Sequence, residues 1–158
     1  MRPAQEFYMS SKMNKQVDFI IYIDGASSGN PGHAAVGVVI KDKLRNREEM
    51  ISQYIGIGTN NFAEYAALIT ALQRAQELGA KEVYIKSDSE LLVKQLKGEY
   101  KVKSDNLKQL NEQAVRLLKA FRFFRIEHIK REFNEEADKL AKKAIIEYKR
   151  ASRMVALQ

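Results

Sequence analysis

Apolar and polar positions change period along this chain, and the changes divide it into elements. Residues 17–24 (VDFIIYID) are apolar on both faces, the pattern of a central strand buried on two sides. The strand stops at the turn-rich stretch 25–32, GASSGNPG. Residues 34–41 and 50–57 read as two further strands joined by the charged turn 42–49, an antiparallel meander with the first. The period then lengthens: Tyr65, Leu68, Ile69, Leu72 and Ala75 share one face of a helix over 61–78, and Gly79 stops it. Residues 83–87 predict a short strand, 89–97 a short helix, 98–105 a basic linker and 106–119 an amphipathic helix. Residues 123–130 read as the fifth strand, and 135–149 as the last helix with Leu140, Ala141, Ala144 and Ile145 inward. Residues 1–16 are polar and aperiodic and read as a flexible extension, and 150–158 read as a tail. The domain is therefore expected to span 17–149.

Three strands, helix, strand, two helices, strand, helix is the order of an α/β fold. Strands separated by helical crossovers run parallel to the first. The expected architecture is a mixed five-stranded sheet, a three-strand antiparallel meander plus two parallel strands, flanked by helices.

Composition narrows the class. A chain of 158 residues fits one domain that buries roughly 70% of its unfolded surface. It has no cysteine, which removes disulfide frameworks and thiolate zinc sites and suits a reducing cytoplasm. No apolar run approaches the roughly 18 residues of a membrane span, so no membrane association is expected. Nothing in the pattern calls for an obligate protein partner, and the chain is expected to be a monomer. The net charge is +7, and all of it falls in residues 94–131, with eleven Lys or Arg against four Asp or Glu. That concentration suits a polyanion, although Lys-rich helices are also simply well solvated.

Four acids stand where an acid is costly or unusual. Asp24 is expected to end the buried first strand and Asp88 to follow the fourth. Glu64 falls in the first turn of an otherwise apolar helix start, and Asp138 in the first turn of the last helix, flanked by Ala137 and Leu140. In such a sheet the C-terminal strand ends and the following helix starts share one edge, where ligands bind. Four converging carboxylates repel one another unless cations lie between them, and hard divalent ions prefer oxygen ligands. Each acid also has a local alternative. Glu64 could complete a capping box with Asn61, Asp138 could complement the dipole of a helix capped by Asn134, and Asp24 and Asp88 could cap turns. Those alternatives do not explain why all four share an edge.

Four motifs add a resemblance. The stretch from Asp24 to Gly32 is similar to DG(S/A)xxGNPG, and Thr59-Asn60-Asn61-Phe62-Ala63-Glu64 to TNNxxE. Ser87-Asp88-Ser89 matches (T/S)DS, and Asn134 to Ala141 matches NxxADxLA. Together, in this order, they resemble type 1 ribonuclease H from Val17 to about Tyr148. The resemblance implies the ribonuclease H-like fold and hydrolysis of the RNA strand of an RNA/DNA hybrid, leaving 5′-phosphate and 3′-hydroxyl ends. It implies Asp24, Glu64, Asp88 and Asp138 as ligands of two Mg2+ ions, with Mn2+ a possible substitute. By similarity, Asn30, Asn60 and Asn61 contact RNA 2′-hydroxyls, and Thr59, with Ser104, holds a DNA-strand phosphate. Lys94, Lys97, Lys101 and Lys103 would supply part of the grip on the hybrid, and Tyr100 an aromatic contact.

The chain also departs from many bacterial members. It lacks their longer loop before the last helix with its histidine, their basic protrusion, and any tryptophan. His128 and His33 read as structural and surface residues respectively. The other readings left open are another nuclease of the superfamily, a nucleic-acid-binding module without catalysis, and a ribonuclease that also cuts duplex RNA.

Overall fold

A computed structural model describes residues 17–158, and the expectation for 1–16 lies outside the described residues. Five strands form one sheet: β1 (Phe19–Ser27), β2 (Gly32–Asp42), β3 (Arg47–Gly58), β4 (Glu82–Ser87) and β5 (Phe123–His128). Among the described residues four α-helices accompany them: α1 (Asn60–Glu77), α2 (Glu90–Leu96), α3 (Asp105–Lys119) and α4 (Glu135–Ala156). The strand order is β3-β2-β1-β4-β5. β1 pairs antiparallel with β2 and parallel with β4, and β4 pairs parallel with β5, so the mixed sheet is as the element order requires.

The main core lies on the α1 side. Phe19, Ile21 and Ile23 of β1 meet Leu68 and Leu72 of α1, Ile85 of β4, Leu118 of α3 and Ile126 of β5, all essentially solvent-free. Each such side chain contributes about 1.5–3 kcal/mol on burial. The opposite face is covered by α4 with small residues. Gly37 faces Ala137 and Ala141, and a Cβ at Gly37 would collide with the Ala137 carbonyl. This close approach brings the first turn of α4 against β1 and β2.

Several boundaries differ from expectation. β1 continues past Asp24 to Ser27, because β2 begins early, at Gly32, and keeps it paired; Asp24 lies inside the ladder opposite Gly37. The β2–β3 turn shrinks to residues 43–46, where Asp42 accepts from the Leu44 and Arg45 amides and pairs with the Arg45 guanidinium. β5 ends at His128, and a 3-10 turn (Arg131–Phe133) leads straight into α4. α4 in turn absorbs most of the expected tail and runs to Ala156. No glycine or proline interrupts residues 150–158, and their Arg, Ala, Met and Leu are good helix formers.

Candidate active site

The edge of the sheet where β1 and β4 run toward α1 and α4 gathers the acids. Asp24, Glu64 and Asp88 each bring a carboxylate oxygen within 4.8 Å of the other two. Asp138, from the first turn of α4, faces Asp24 closely enough to accept from it when Asp24 is protonated. Two glycines make this convergence possible. A Cβ at Gly25 would collide with the Ala63 and Glu64 backbone, so the residue after Asp24 must be glycine for α1 to come this close. The Gly25 amide then donates to Glu64 Oε1 at 2.8 Å. Gly37, opposite Asp24, does the same service for α4.

Electrostatics follow from crowding. Burial first, then the charges of Glu64 and Asp88, push Asp24 up to about 9. Burial likewise raises Glu64 to about 8, with Asp88 adding to the shift, while the Gly25 amide and Arg131 oppose it. Burial also acts upward on Asp138, but hydrogen bonds from Lys142 and Asp24 outweigh it and hold this carboxyl below its ordinary value. Lys142 Nζ sits 2.9 Å from Asp138 Oδ2. Asp88 Oδ2 is buried with no hydrogen-bond partner. Buried carboxylates at this density fit hard divalent cations, which would supply the missing partner and reverse the upward shifts.

The capping alternatives for Glu64 and Asp88 fail, whereas Asp138 does stand in the acidic first turn of α4 and complements its dipole. Thr59, not Asn61, caps α1, its Oγ1 accepting from the Phe62 amide at 3.1 Å, and Glu64 faces Gly25 instead. Ser89 caps α2, leaving Asp88 free of that duty. Asn134 makes no side-chain cap; it is buried, and its Nδ2 donates to the Ile23 carbonyl at 2.8 Å.

Beside the acids lies a groove of about 690 Å³ between the β1–β2 loop and α3. Asn30, Thr59, Asn61 and Ser104 line it. Asn30 Oδ1 accepts from the Asn60 amide at 3.0 Å, joining the β1–β2 loop to the first turn of α1, which carries Asn60 and Asn61 where a loop position was expected for Asn60. Thr59 and Ser104 are both helix caps, and Ser104 Oγ accepts from the Leu107 amide at 3.4 Å. Lys101 and Lys103 are exposed outside the groove lining. Lys94 is engaged locally, near Glu90 and over the Tyr100 ring at 4.8 Å. His128 is exposed at the end of β5. His33 is not a surface residue: it is half-buried against Tyr54 and Tyr148.

Sequence reasoning missed Lys142 and the role of Asn134. Lys142 was visible as the basic residue four positions after Asp138, the spacing that pairs on a helix. Nothing local marks Asn134 as a link to β1.

Comparison places this architecture. The profile of the reverse transcriptase-like family matches residues 22–144. The chain belongs to that family, and its domain is a ribonuclease H domain of the RNase H1 kind. It is 41% identical to ribonuclease HI of Halobacterium salinarum over 124 residues, 78% of this chain and 62% of that protein. It is 42% identical to the bifunctional protein Rv2228c of Mycobacterium tuberculosis over 127 residues, 80% of this chain and 35% of that protein. The chain thus spans between about a third and two thirds of these relatives. Among solved structures, LC11-RNase H1 in complex with an RNA/DNA hybrid superposes with a TM-score of 0.74 at 42% identity, covering 82% of this chain and 98% of that one. Among the described residues, no helix is long and apolar enough to cross a membrane.

Proposed function

We propose that this domain is an endoribonuclease that hydrolyses the RNA strand of RNA/DNA hybrids, with Asp24, Glu64, Asp88 and Asp138 holding two Mg2+ ions, or Mn2+ in their place. The observation that carries this reading is the convergence of three carboxylates within 4.8 Å, one with an orphaned buried oxygen, with a groove lined by Asn30, Thr59, Asn61 and Ser104 one helical turn away along α1. The bound hybrid of LC11-RNase H1 supports the substrate class. When bound, the two ions supply activation of a water and stabilisation of the leaving oxygen, giving 5′-phosphate and 3′-hydroxyl ends.

The chain's own residues do the rest. Gly25 N–H and Lys142 fix the orientations of Glu64 and Asp138, so these ligands need little reorganisation. Asn30, Asn60 and Asn61 read ribose 2′-hydroxyls from the β1–β2 loop and the first turn of α1, which are joined to each other. Thr59 and Ser104 receive a phosphate of the DNA strand, with Lys101 and Lys103 adding charge from the rim. The protein acts as a monomer without an obligate protein partner, in a reducing cytoplasm that suits a chain without cysteine.

A gel assay on hybrid, duplex RNA, duplex DNA and single strands, with and without Mg2+, tests this. Metal-dependent cleavage of the hybrid's RNA strand is expected, and Asp88→Asn should abolish it while hybrid binding persists. Cleavage at the wild-type rate by the purified variant would sink the assignment; equal cleavage of duplex RNA would broaden the substrate.

A further inference from the structure

The first turn of α4 supplies Asp138; further along the same helix Tyr148 makes a contact that the carboxylate chemistry does not use. Tyr148 stacks flat on Tyr54 of β3, with centroids 3.7 Å apart and planes at 7°. His33 of β2 closes the group, its ring 5.2 Å from that of Tyr148 and 5.7 Å from that of Tyr54. Its Nδ1 lies 2.8 Å from the Tyr54 hydroxyl. Tyr148 keeps 37% of its surface exposed and stands beyond residue 144, where the family match ends. None of the three belongs to the main core, and Tyr148 lies outside the matched segment that holds His33 and Tyr54.

A bulge builds it. The β2–β3 register shifts between Ala34 and Ala35, so that Ala35 pairs with Tyr54. An unbroken ladder continuing from Ala34–Gly56 would have paired Ala35 with Ile55. Gly56, at φ +93, takes the backbone conformation that the irregularity demands. The shift turns Tyr54 to the face of Ala35, which packs on Ala144 and Ile145 of α4. Bulges re-aim side chains at the expense of regular pairing.

The trio stands at the stems of both groove loops. His33 follows Asn30 by three residues, and Tyr54 precedes Thr59 by five. The loops are tied to each other above it, by the Asn60 amide on Asn30 Oδ1 and by Ser27 Oγ donating to the Gly58 carbonyl at 2.9 Å. Tyr148 then ties both stems to the helix that carries Asp138, ten residues or about 15 Å along its axis.

We propose that His33, Tyr54 and Tyr148 are positioning residues that hold the ribose-reading loops in register with the carboxylates, so that selection of the RNA strand depends on a stack remote from the cut. This rests on the proposed reading of Asn30, Asn60 and Asn61 as 2′-hydroxyl contacts. A stack that merely fastened α4 to the sheet would affect stability alone.

The test compares Tyr148→Ala and Tyr148→Phe with the wild type, well below their melting temperatures. The substrates are a uniform hybrid and one with a single deoxynucleotide beside a cut site. Tyr148→Ala should raise KM about fivefold and lower the preference for the unsubstituted position about tenfold, with kcat within about twofold because the acids are untouched. Tyr148→Phe keeps the stack and should restore both values. If Tyr148→Ala does not fold, His33→Ala leaves the stacked pair intact and should show the same loss of preference. A lower Tm with unchanged KM and unchanged preference would overturn the proposal. Absence of any preference in the wild type would instead remove the ribose-reading premise.

Discussion

Asn134 donates its side-chain amide to the carbonyl of Ile23 across 2.8 Å, fastening the start of α4 to the residue before Asp24. Asn134 is almost fully buried, and its Oδ1 has no partner. A buried acceptor left unpaired costs about 1–3 kcal/mol. A residue chosen for stability alone would avoid that cost, so the link is explained by what it aligns: Asp24 on β1 with Asp138 one turn into α4. Asn134→Ala should lower stability by about 1–2 kcal/mol, since it removes one buried hydrogen bond along with the orphaned acceptor. Cleavage should fall more than tenfold with little change in hybrid affinity. Asn134→Asp loses the donor and adds a charge beside an acidic cluster, and should be worse on both counts. Wild-type turnover in Asn134→Ala, with denaturation and single-turnover assays run together, would reduce the link to ordinary packing.

The raised pKa values of Asp24 and Glu64 make a pH prediction with a defined sign. Their folded values, about 9 and about 8, lie above the ordinary 3.8 and 4.5, so the metal-free folded state binds more protons than the unfolded state between those limits. Stability should therefore fall as pH rises from about 4.5 to 9. Asp138 shifts the other way, and its contribution is lost only as pH falls through the acid range below. Mg2+ binding needs the charged carboxylates, so it should release protons at pH 7 and raise Tm more at pH 8.5 than at pH 6. Calorimetry in two buffers of different ionisation enthalpy measures the protons. No release, together with a flat Tm difference, would mean that the acids are already ionised in the metal-free protein.

How far this site was legible in the sequence depends on the range of the interactions. Asp24 and Glu64 were visible because each interrupts a local apolar pattern, and Asp88 and Asp138 because they fall at a strand end and a helix start on the same sheet edge, within recognisable motifs; period placed the strands and helices around them. The continuation of β1 to Ser27 was not visible, since it depends on pairing with β2 across the loop rather than on residues 25–27 themselves. The helical run after Lys149 was missed because polar, charged helix formers resemble a tail when no partner is known. The partners of Asn134 and His33 lie 111 and 21 residues away respectively, and no periodicity encodes such contacts.

The lysines of the 98–104 segment present a separable test of charge. Lys101 and Lys103 are exposed and outside the groove lining, so replacing both with alanine should leave fold and kcat unchanged. If they neutralise backbone phosphates, the steep fall of affinity with salt should flatten by about one to two units of log–log slope. The weakening should be equal for hybrids of different sequence, because phosphate contacts carry no base information. Fluorescence anisotropy across a salt series measures this. An unchanged slope would return both lysines to the role of solvating the surface.

Strand choice is the property that separates a hybrid ribonuclease from a general nuclease, and the asparagine loops make it testable. Asn30 and Asn61 line the groove beside the carboxylates, and Asn60 is bonded to Asn30 through its amide. A 2′-hydroxyl both donates and accepts, so side-chain amides and loop backbone groups can engage it. A deoxyribose in the same place leaves those polar groups unpaired, at about 1–3 kcal/mol each where they are buried. Two such contacts suffice for strong discrimination without any base readout. A hybrid with one deoxynucleotide beside the scissile phosphate should therefore be cut poorly there and normally elsewhere. Asn60→Ala should narrow the difference without changing the metal dependence, because the main-chain bond to Asn30 survives and only the side-chain amide is lost. Mapping of cut positions on end-labelled hybrids reads both effects. Equal cleavage at substituted and unsubstituted positions by the wild type would show that the ribose is not what the loops recognise, and would move the search for selectivity to the DNA-strand side of the groove, at Thr59 and Ser104.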